Sequence, residues 1–386
     1  MVPSREMSSP TTERATIETA TRGTRTPPEI RLQPGESARD YVTLLLAFCL
    51  GLMALVAVFN ALVDPFGTFG TGLLPTAIWS DRTTKVGLID ALKTPPQLIV
   101  LGSSRAMKIQ PGYLQRLTGL PGFNAAVSSG VPADAWAFVN LLHDRFPDTH
   151  PRYLWLFDVE ALHPSTLDPA LTGQPQLARY FSASTRREAS LRHLSWLFSW
   201  DTAWTSVRSL RAYLTHAEQA EVESGIAREK NSRSEFAPNG YRRFDFHDYL
   251  LARGHTLAKE LPGTIRDYTH TYNAMYPHLD PLEEQYVEKT LELMNQLGAT
   301  PVIVLSPYQP QLLAALRPLG WNTRHRQVLQ FLQSLHARYR FVLLDMTHIA
   351  TFHGSPSNFY DGVHMRLRNV HRLLRTVVAE SGSALR

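Results

Sequence analysis

Cysteine is almost missing from this chain: a single one, Cys49, occurs in 386 residues. A small disulfide-stapled domain is excluded by that scarcity together with the length. Neither a Gly-X-Y period nor a low-complexity tract occurs, and no internal repeat is present, so collagen-like and solenoid architectures are excluded as well. Only 19% of residues are charged, and the formal net charge of +5 is scattered along the chain. No basic stripe is interleaved with aromatics, and a nucleic-acid partner is not expected. Two local absences matter more. Residues 1–40 almost lack large apolar side chains, and residues 41–63 lack any charge.

What is there follows from those two gaps. The first 40 residues are rich in Thr, Ser, Pro, Arg and Glu, and cannot bury enough surface to offset their ordering entropy. They read as a disordered tail. The run YVTLLLAFCLGLMALVAVFNALV, Tyr41 to Val63, is 23 residues long and bracketed by Asp40 and Asp64. About 20 apolar residues span a bilayer as a helix. A buried core helix is the rival reading, against which stand the length and the lack of any polar face. A cleaved signal peptide would sit at the extreme N-terminus with a small-residue cleavage site. The polar tail in front, and Asn60-Ala61-Leu62-Val63-Asp64-Pro65 behind, favour an uncleaved signal-anchor whose partner is the lipid bilayer. Arg22, Arg25, Arg31 and Arg39 precede the segment, while only Arg82 lies in the comparable window after it. By the positive-inside rule the tail is expected in the cytoplasm and the rest exported. Cys49 falls inside the apolar segment, so the exported part carries no thiol. The mean hydropathy of −0.19 therefore averages unlike pieces.

Residues 64–96 read as a membrane-proximal linker, and a repeating order begins near Gln97. Apolar runs at Leu98–Leu101, Phe123–Val127, Tyr153–Phe157, Pro301–Leu305 and Phe341–Leu344 have the character of buried parallel strands. Helical spacing covers Pro111–Leu117, Pro132–Phe146, Pro281–Leu297, Arg324–Tyr339 and Arg366–Glu380. Five such strands alternating with helices indicate an α/β domain over 97–386, three-layered with a mainly parallel sheet. The order breaks between about 165 and 279. Helical stretches, a charged run and the aromatic–basic segment Asn239–Phe246 there form an expected helical insertion.

In open α/β sheets, ligands sit outside the carboxyl ends of the strands. The first strand runs into Gly102-Ser103-Ser104-Arg105, and Tyr360-Asp361-Gly362-Val363-His364 precedes the last helix. A serine attacks an acyl carbon only if a base takes its proton and donors stabilise the oxyanion. Asp361 can orient the His364 imidazole from within one loop, leaving its other nitrogen for a serine across the sheet edge. Taken singly, the two motifs are also compatible with a tight turn and a surface histidine; their joint placement favours chemistry.

Those two blocks make the chain resemble the SGNH (GDSL-like) hydrolase superfamily. The Asp64-Pro65-Phe66-Gly67 and Leu101-Gly102-Ser103-Ser104-Arg105 stretches are similar to its membrane-anchored, envelope-facing branch, which includes factors of alginate and cell-wall O-acetylation. The resemblance covers about Leu98 to Val378, outside the insertion. It implies Ser104 as nucleophile, His364 as base and Asp361 as its orienting partner. It also implies an oxyanion or substrate-binding role for Gly130, Asn124 and Arg105 of the matched blocks, with neither cofactor nor metal. Implied too are a bacterial inner-membrane location with a periplasmic domain, an acyl-ester or carbohydrate substrate, and polysaccharide export or acetylation machinery as partner. Three departures stand out. Ser103 replaces the usual Asp, Gly130 lies one position late, and Phe157-Asp158-Val159-Glu160 stands where Gly-x-Asn-Asp is usual. An ionised Asp cannot donate to an oxyanion.

The expected function is thus a serine esterase or O-acyltransferase on acyl, chiefly acetyl, esters of an envelope polysaccharide. The alternatives are a catalytically silent polysaccharide-binding or assembly subunit, which the third departure favours, and a lipid esterase. Lesser features are read structurally: His143 and Asp148, whose spacing matches a His-x4-Asp acyltransferase motif, as a solvated helix end; Asp245, His247 and Asp248 as an aromatic surface segment rather than a metal site, zinc spacing being absent; and Arg242 and Arg243 as packing and solvation rather than a groove for an anionic sugar. Trp196, Trp200 and Trp204, four residues apart, read as a helix–helix seam.

Overall fold

The computed structural model describes residues 36–66, 74, 80–163, 167–215, 236–243, 246–275 and 278–386. Most of the expected tail, the charged run at 221–235 and Asp245 lie outside them. The chain falls into two compact units, Met1–Leu52 and Met53–Arg386. Helix α1, Glu36–Val63, starts at Glu36 rather than Tyr41, because a helix once begun gains one hydrogen bond per further residue. Its stretch Ala38–Val63 is long and apolar enough to cross a membrane, with a mean hydropathy of 2.8 over its best window.

Five strands make one parallel sheet: β1 (Leu98–Gly102), β2 (Gly122–Asn124), β3 (Arg152–Phe157), β4 (Val302–Leu305) and β5 (Val342–Asp345), in the order β2-β1-β3-β4-β5. Leu98, Ile99, Val100 and Leu101 of β1 are each at most 1% exposed. Burial on both faces is why β1 is apolar throughout instead of alternating. Each such side chain contributes roughly 1.5–3 kcal/mol by leaving water. The chain leaves β1 toward β2 on one side and returns past it to β3 on the other. That reversal opens a crevice at the carboxyl ends of β1 and β3.

The expected strand Phe123–Val127 stops at Asn124. The Ala126 N–H turns to Asn124 Oδ1, while Ala125 and Val127 N–H still reach the Val100 and Gly102 carbonyls. Residues 64–96 are not all linker. Helix α2 (Asp81–Asp90), capped by Ser80, docks on the domain through buried residues. Arg82 pairs with Asp134 through two bonds of 2.7 and 2.8 Å and reaches Asp168 at 3.0 Å. Lys85, 0% exposed, donates to the Asn124 carbonyl at 2.6 Å and the Gly240 carbonyl at 2.5 Å.

Helices α3 (Pro111–Thr118) and α4 (Pro132–Arg145) follow β1 and β2. Within the expected insertion come two short turns, α5 (Pro169–Thr172) and α6 (Pro175–Ala178). The hairpin α7 (Ala183–Leu197) and α8 (Trp200–Leu214) follows, then α9 (Phe246–Ala252) and α10 (Leu257–Met275). After it come α11 (Pro281–Gln296), α12 (Pro310–Leu316), α13 (Trp321–Leu335) and α14 (Leu367–Glu380). Helix α4 packs on α11, where the Ala133 N–H donates to Glu283 Oε2 at 3.0 Å. Helix α13 begins three residues before the expected Arg324, since Trp321, 1% exposed, is drawn into the core. The loop at 236–243 covers the free edge of β2: the Asn124 N–H donates to the Asn239 carbonyl, and a Cβ on Gly240 would lie 2.1 Å from the Asn124 oxygen. An exposed sheet edge is thereby blocked.

Candidate active site

The site lies on two loops at the carboxyl edge of the sheet. Gly102 ends β1 at φ +140°, and a Cβ there would meet the Leu156 carbonyl oxygen at 2.5 Å. The chain then makes a tight turn. Ser103 Oγ accepts the Arg105 N–H at 3.2 Å, and the Ser103 and Ser104 carbonyls accept the N–H groups of Ala106 and Met107. Ser104 therefore stands at the first position of a helical turn. Its own N–H has no hydrogen-bond partner among the described residues.

The second loop is built around one carboxylate. Asp361 Oδ1 accepts the N–H groups of Val363 and His364 at 2.8 and 2.7 Å, a local turn that Asp favours. Asp361 Oδ2 meets His364 Nδ1 at 2.8 Å, and His364 Nε2 meets Ser104 Oγ at 2.9 Å. Burial acts to raise the Asp361 carboxyl, but the facing His364, its hydrogen bonds and His247 outweigh it and hold the group well below the usual carboxylate range. An ionised carboxylate only accepts, so Nδ1 carries the imidazole proton and Nε2 is left to accept from the serine hydroxyl. Side-chain exposures of 20% for His364 and 11% for Asp361 leave the ring reachable from outside. The structure thus brings Ser104, His364 and Asp361, named from the sequence, within hydrogen-bond reach of one another.

The other expected site residues have different employment. Gly130 donates its N–H to the Val127 carbonyl at 3.1 Å, so that donor is already committed. A glycine is needed there for another reason: a Cβ would lie 2.5 Å from the Gly102 oxygen. Asn124 is 0% exposed. Its Nδ2 donates to the Ala106 and Ile109 carbonyls at 2.9 Å, bracing the turn that carries Ser104 from beneath. Arg105 is 5% exposed and points into the protein. It reaches Ser306 Oγ at 3.2 Å, Glu160 at 3.3 Å and Asp158 at 3.6 Å, with its guanidinium 4.7 Å from the Tyr308 ring. Two carboxylates around one guanidinium account for its burial. Asp158, just after β3, is further tied to Ser306 Oγ.

Sequence reasoning missed the role of the insertion here. Helix α9 sets the His247 ring 4.3 Å from that of His364, and His247 Nε2 3.8 Å from Asp361 Oδ2. The helix is fastened by Asp248, which pairs with Lys108 and accepts the Tyr360 hydroxyl at 2.7 Å. His247 and Asp248 read from sequence as a surface segment; they are instead partly buried against the Asp361–His364 pair and Lys108. Ligand atoms of His247, Asp361 and His364 lie within 4.8 Å of one another, a grouping able to hold a divalent ion only by displacing the Asp361–His364 hydrogen bond. His143 and Asp148 sit at the end of α4 and just beyond it; Asp148 is exposed as expected, whereas His143 is half-buried and its Nδ1 is shut off from water. Arg242 lies over the Phe236 ring at 5.6 Å, a packing role. The tryptophan seam is not found: Trp200 is 78% and Trp204 56% exposed.

The chain matches no protein-family model and no curated protein.

Proposed function

We propose that this chain is a serine esterase or O-acyltransferase of SGNH type, with a three-layer α/β/α domain anchored by α1. The observation that carries the reading is the unbroken line of hydrogen bonds from Ser104 Oγ through His364 to Asp361, at 2.9 and 2.8 Å. Such a line lets the imidazole take the hydroxyl proton as the oxygen attacks. Ser104 Oγ bonds to the acyl carbon, and its proton passes to His364 Nε2. The oxyanion then faces the Ser104 N–H at the start of a helical turn. Collapse breaks the ester bond, His364 returns the proton to the departing alkoxide, and the acyl group stays on Ser104. Water or a sugar hydroxyl then repeats the sequence in reverse. The arginine excess before the apolar run supports a single pass through a bacterial inner membrane, tail inward and domain in the periplasm. There the acceptor class is an exported or envelope polysaccharide.

A second reading, a silent polysaccharide-binding or assembly subunit, is favoured by the commitments of Asp158 and Gly130, which leave the Ser104 N–H without an obvious companion donor. One experiment separates the two. The full-length protein in detergent is treated with a fluorophosphonate probe and assayed on an acetyl ester, with and without an acidic polysaccharide. Labelling of Ser104 with turnover abolished in Ser104→Ala supports the enzyme. Polysaccharide binding without labelling or turnover supports the silent subunit.

A further inference from the structure

Helix α8 is inside-out for a protein in water. Thr202, Ser206 and Ser209 are its buried residues, at 4, 0 and 5% exposed. At the same spacing on the other side, Trp200, Trp204, Val207 and Leu214 stand 78, 56, 47 and 67% exposed. Its partner α7 likewise presents Leu191 and Leu194 at 57 and 44%. A surface helix normally buries the stripe at these intervals and wets the other. Elsewhere in the domain the rule holds. Apart from α1 and the hairpin with its connecting turn, the only large apolar residue strongly exposed among the described residues is Leu251, at 39%.

An exposed apolar face of this kind, with Arg211 as the one charged member of its stripe, marks a contact with something other than water. Its position says with what. The loop between α7 and α8 is held to the carboxyl end of α1: Asn60 Nδ2 donates to the Leu197 carbonyl at 2.8 Å, and Phe66 packs edge-on to Trp196 at 5.7 Å. These residues stand where a membrane-crossing helix leaves the apolar layer, the depth at which tryptophan and tyrosine prefer to lie. Arg187 and Arg211 are exposed on the same two helices, suiting a surface of anionic headgroups.

We propose that the α7–α8 hairpin is a monotopic membrane-binding element. Its Trp200, Trp204, Val207 and Leu214 face lies in the interfacial layer of the same phospholipid bilayer that α1 crosses. Buried serine and threonine with outward tryptophan is then the ordinary amphipathic arrangement, the apolar side facing lipid. The inference is independent of any chemistry at Ser104.

The test uses the full-length chain in liposomes of phosphatidylethanolamine and phosphatidylglycerol. Helix α1 contains no tryptophan, so quenching of native emission by lipids brominated on the acyl chain reads the domain rather than the anchor. Quenching is expected in the unmodified protein and should be largely lost in Trp200→Phe/Trp204→Phe. Because Cys49 is the only cysteine, Cys49→Ser also permits single nitroxide labels at Trp204→Cys, Val207→Cys and, on exposed α13, Gln327→Cys. The hairpin labels should be more accessible to oxygen and less to a water-soluble nickel chelate than the α13 label. Equal nickel accessibility at all three positions overturns the proposal. So does shielding from both reagents with dipolar coupling between labels of two chains, which would assign the face to a second copy. Absence of brominated-lipid quenching in the unmodified protein overturns it without recourse to any variant.

Discussion

The sheet body and the insertion obey opposite rules. In the body, the apolar runs of β1, β3 and β4 are buried, and Ser104, Asp361 and His364 meet on loops at the carboxyl edge of the sheet. In the insertion, α8 hides Thr202, Ser206 and Ser209 and presents Trp200 and Trp204. Yet the same insertion, through α9, sets His247 beside His364. The body thus holds the whole line of hydrogen bonds from Ser104 to Asp361, and the insertion supplies a neighbour to it. Helix α2 joins the two regions. Arg82 pairs with Asp134 of the body and Asp168 of the insertion, and Lys85 with the carbonyls of Asn124 and Gly240.

The comparison can be broken first at the body's own chemistry. Ser104→Ala should lower ester turnover on the order of 10⁴- to 10⁶-fold, while the thermal midpoint stays put. A residual rate near that of the parent would show that the line of hydrogen bonds is structural. The joint between the regions comes next. Asp134→Ala leaves the buried Arg82 with only Asp168, and should destabilise the fold by about 3–5 kcal/mol in chemical denaturation. Little change would mean that α2 is not the staple.

A smaller effect is expected from the insertion's contribution to the site. His247→Phe keeps a ring beside His364 but removes its approach to Asp361, and should cost about 10- to 100-fold in kcat with KM nearly constant. An unchanged rate would confine the chemistry to the body. The smallest effect is a slope. Burial pushes the Lys85 ammonium down to about 7, Asp81 opposing and Arg242 adding to the shift. Between pH 7 and the ordinary lysine value the unfolded chain binds the proton and the folded chain does not. Stability should therefore rise with pH across that window, by about 1.4 kcal/mol per unit at most. Lys85→Met, less stable overall because two carbonyls lose their donor, should flatten that rise.

How much of this could be read in advance depends on how local each signal is. Strands were legible as short apolar runs between turn residues, and Ser104, Asp361 and His364 as motifs placed at strand ends. Helix α2 was not, because its docking side carries Arg82 and Lys85, residue types that ordinarily mark a wet face. Asn124, Gly130 and Arg105 stood in the matched blocks, but sequence does not say where a hydrogen bond goes, and theirs go inward. His247 depends on a helix fastened to Tyr360 across 112 positions, a distance over which residue spacing carries no information. The tryptophan spacing at 196, 200 and 204 suggested a buried seam, and Trp200 and Trp204 are instead exposed. What their face meets is a property of the surroundings.

Gly102 and Gly130 carry one more consequence. With the Leu156 oxygen on one side and Gly130 on the other, the backbone entering the Ser104 turn has less than a methyl group of lateral room. That loop cannot be lengthened, decorated or swung aside without unpacking the sheet beneath it. The Ser104 side of the site is in that sense a fixed wall. The adjustable jaw is the segment bearing His247, a surface helix held by side chains rather than by strands.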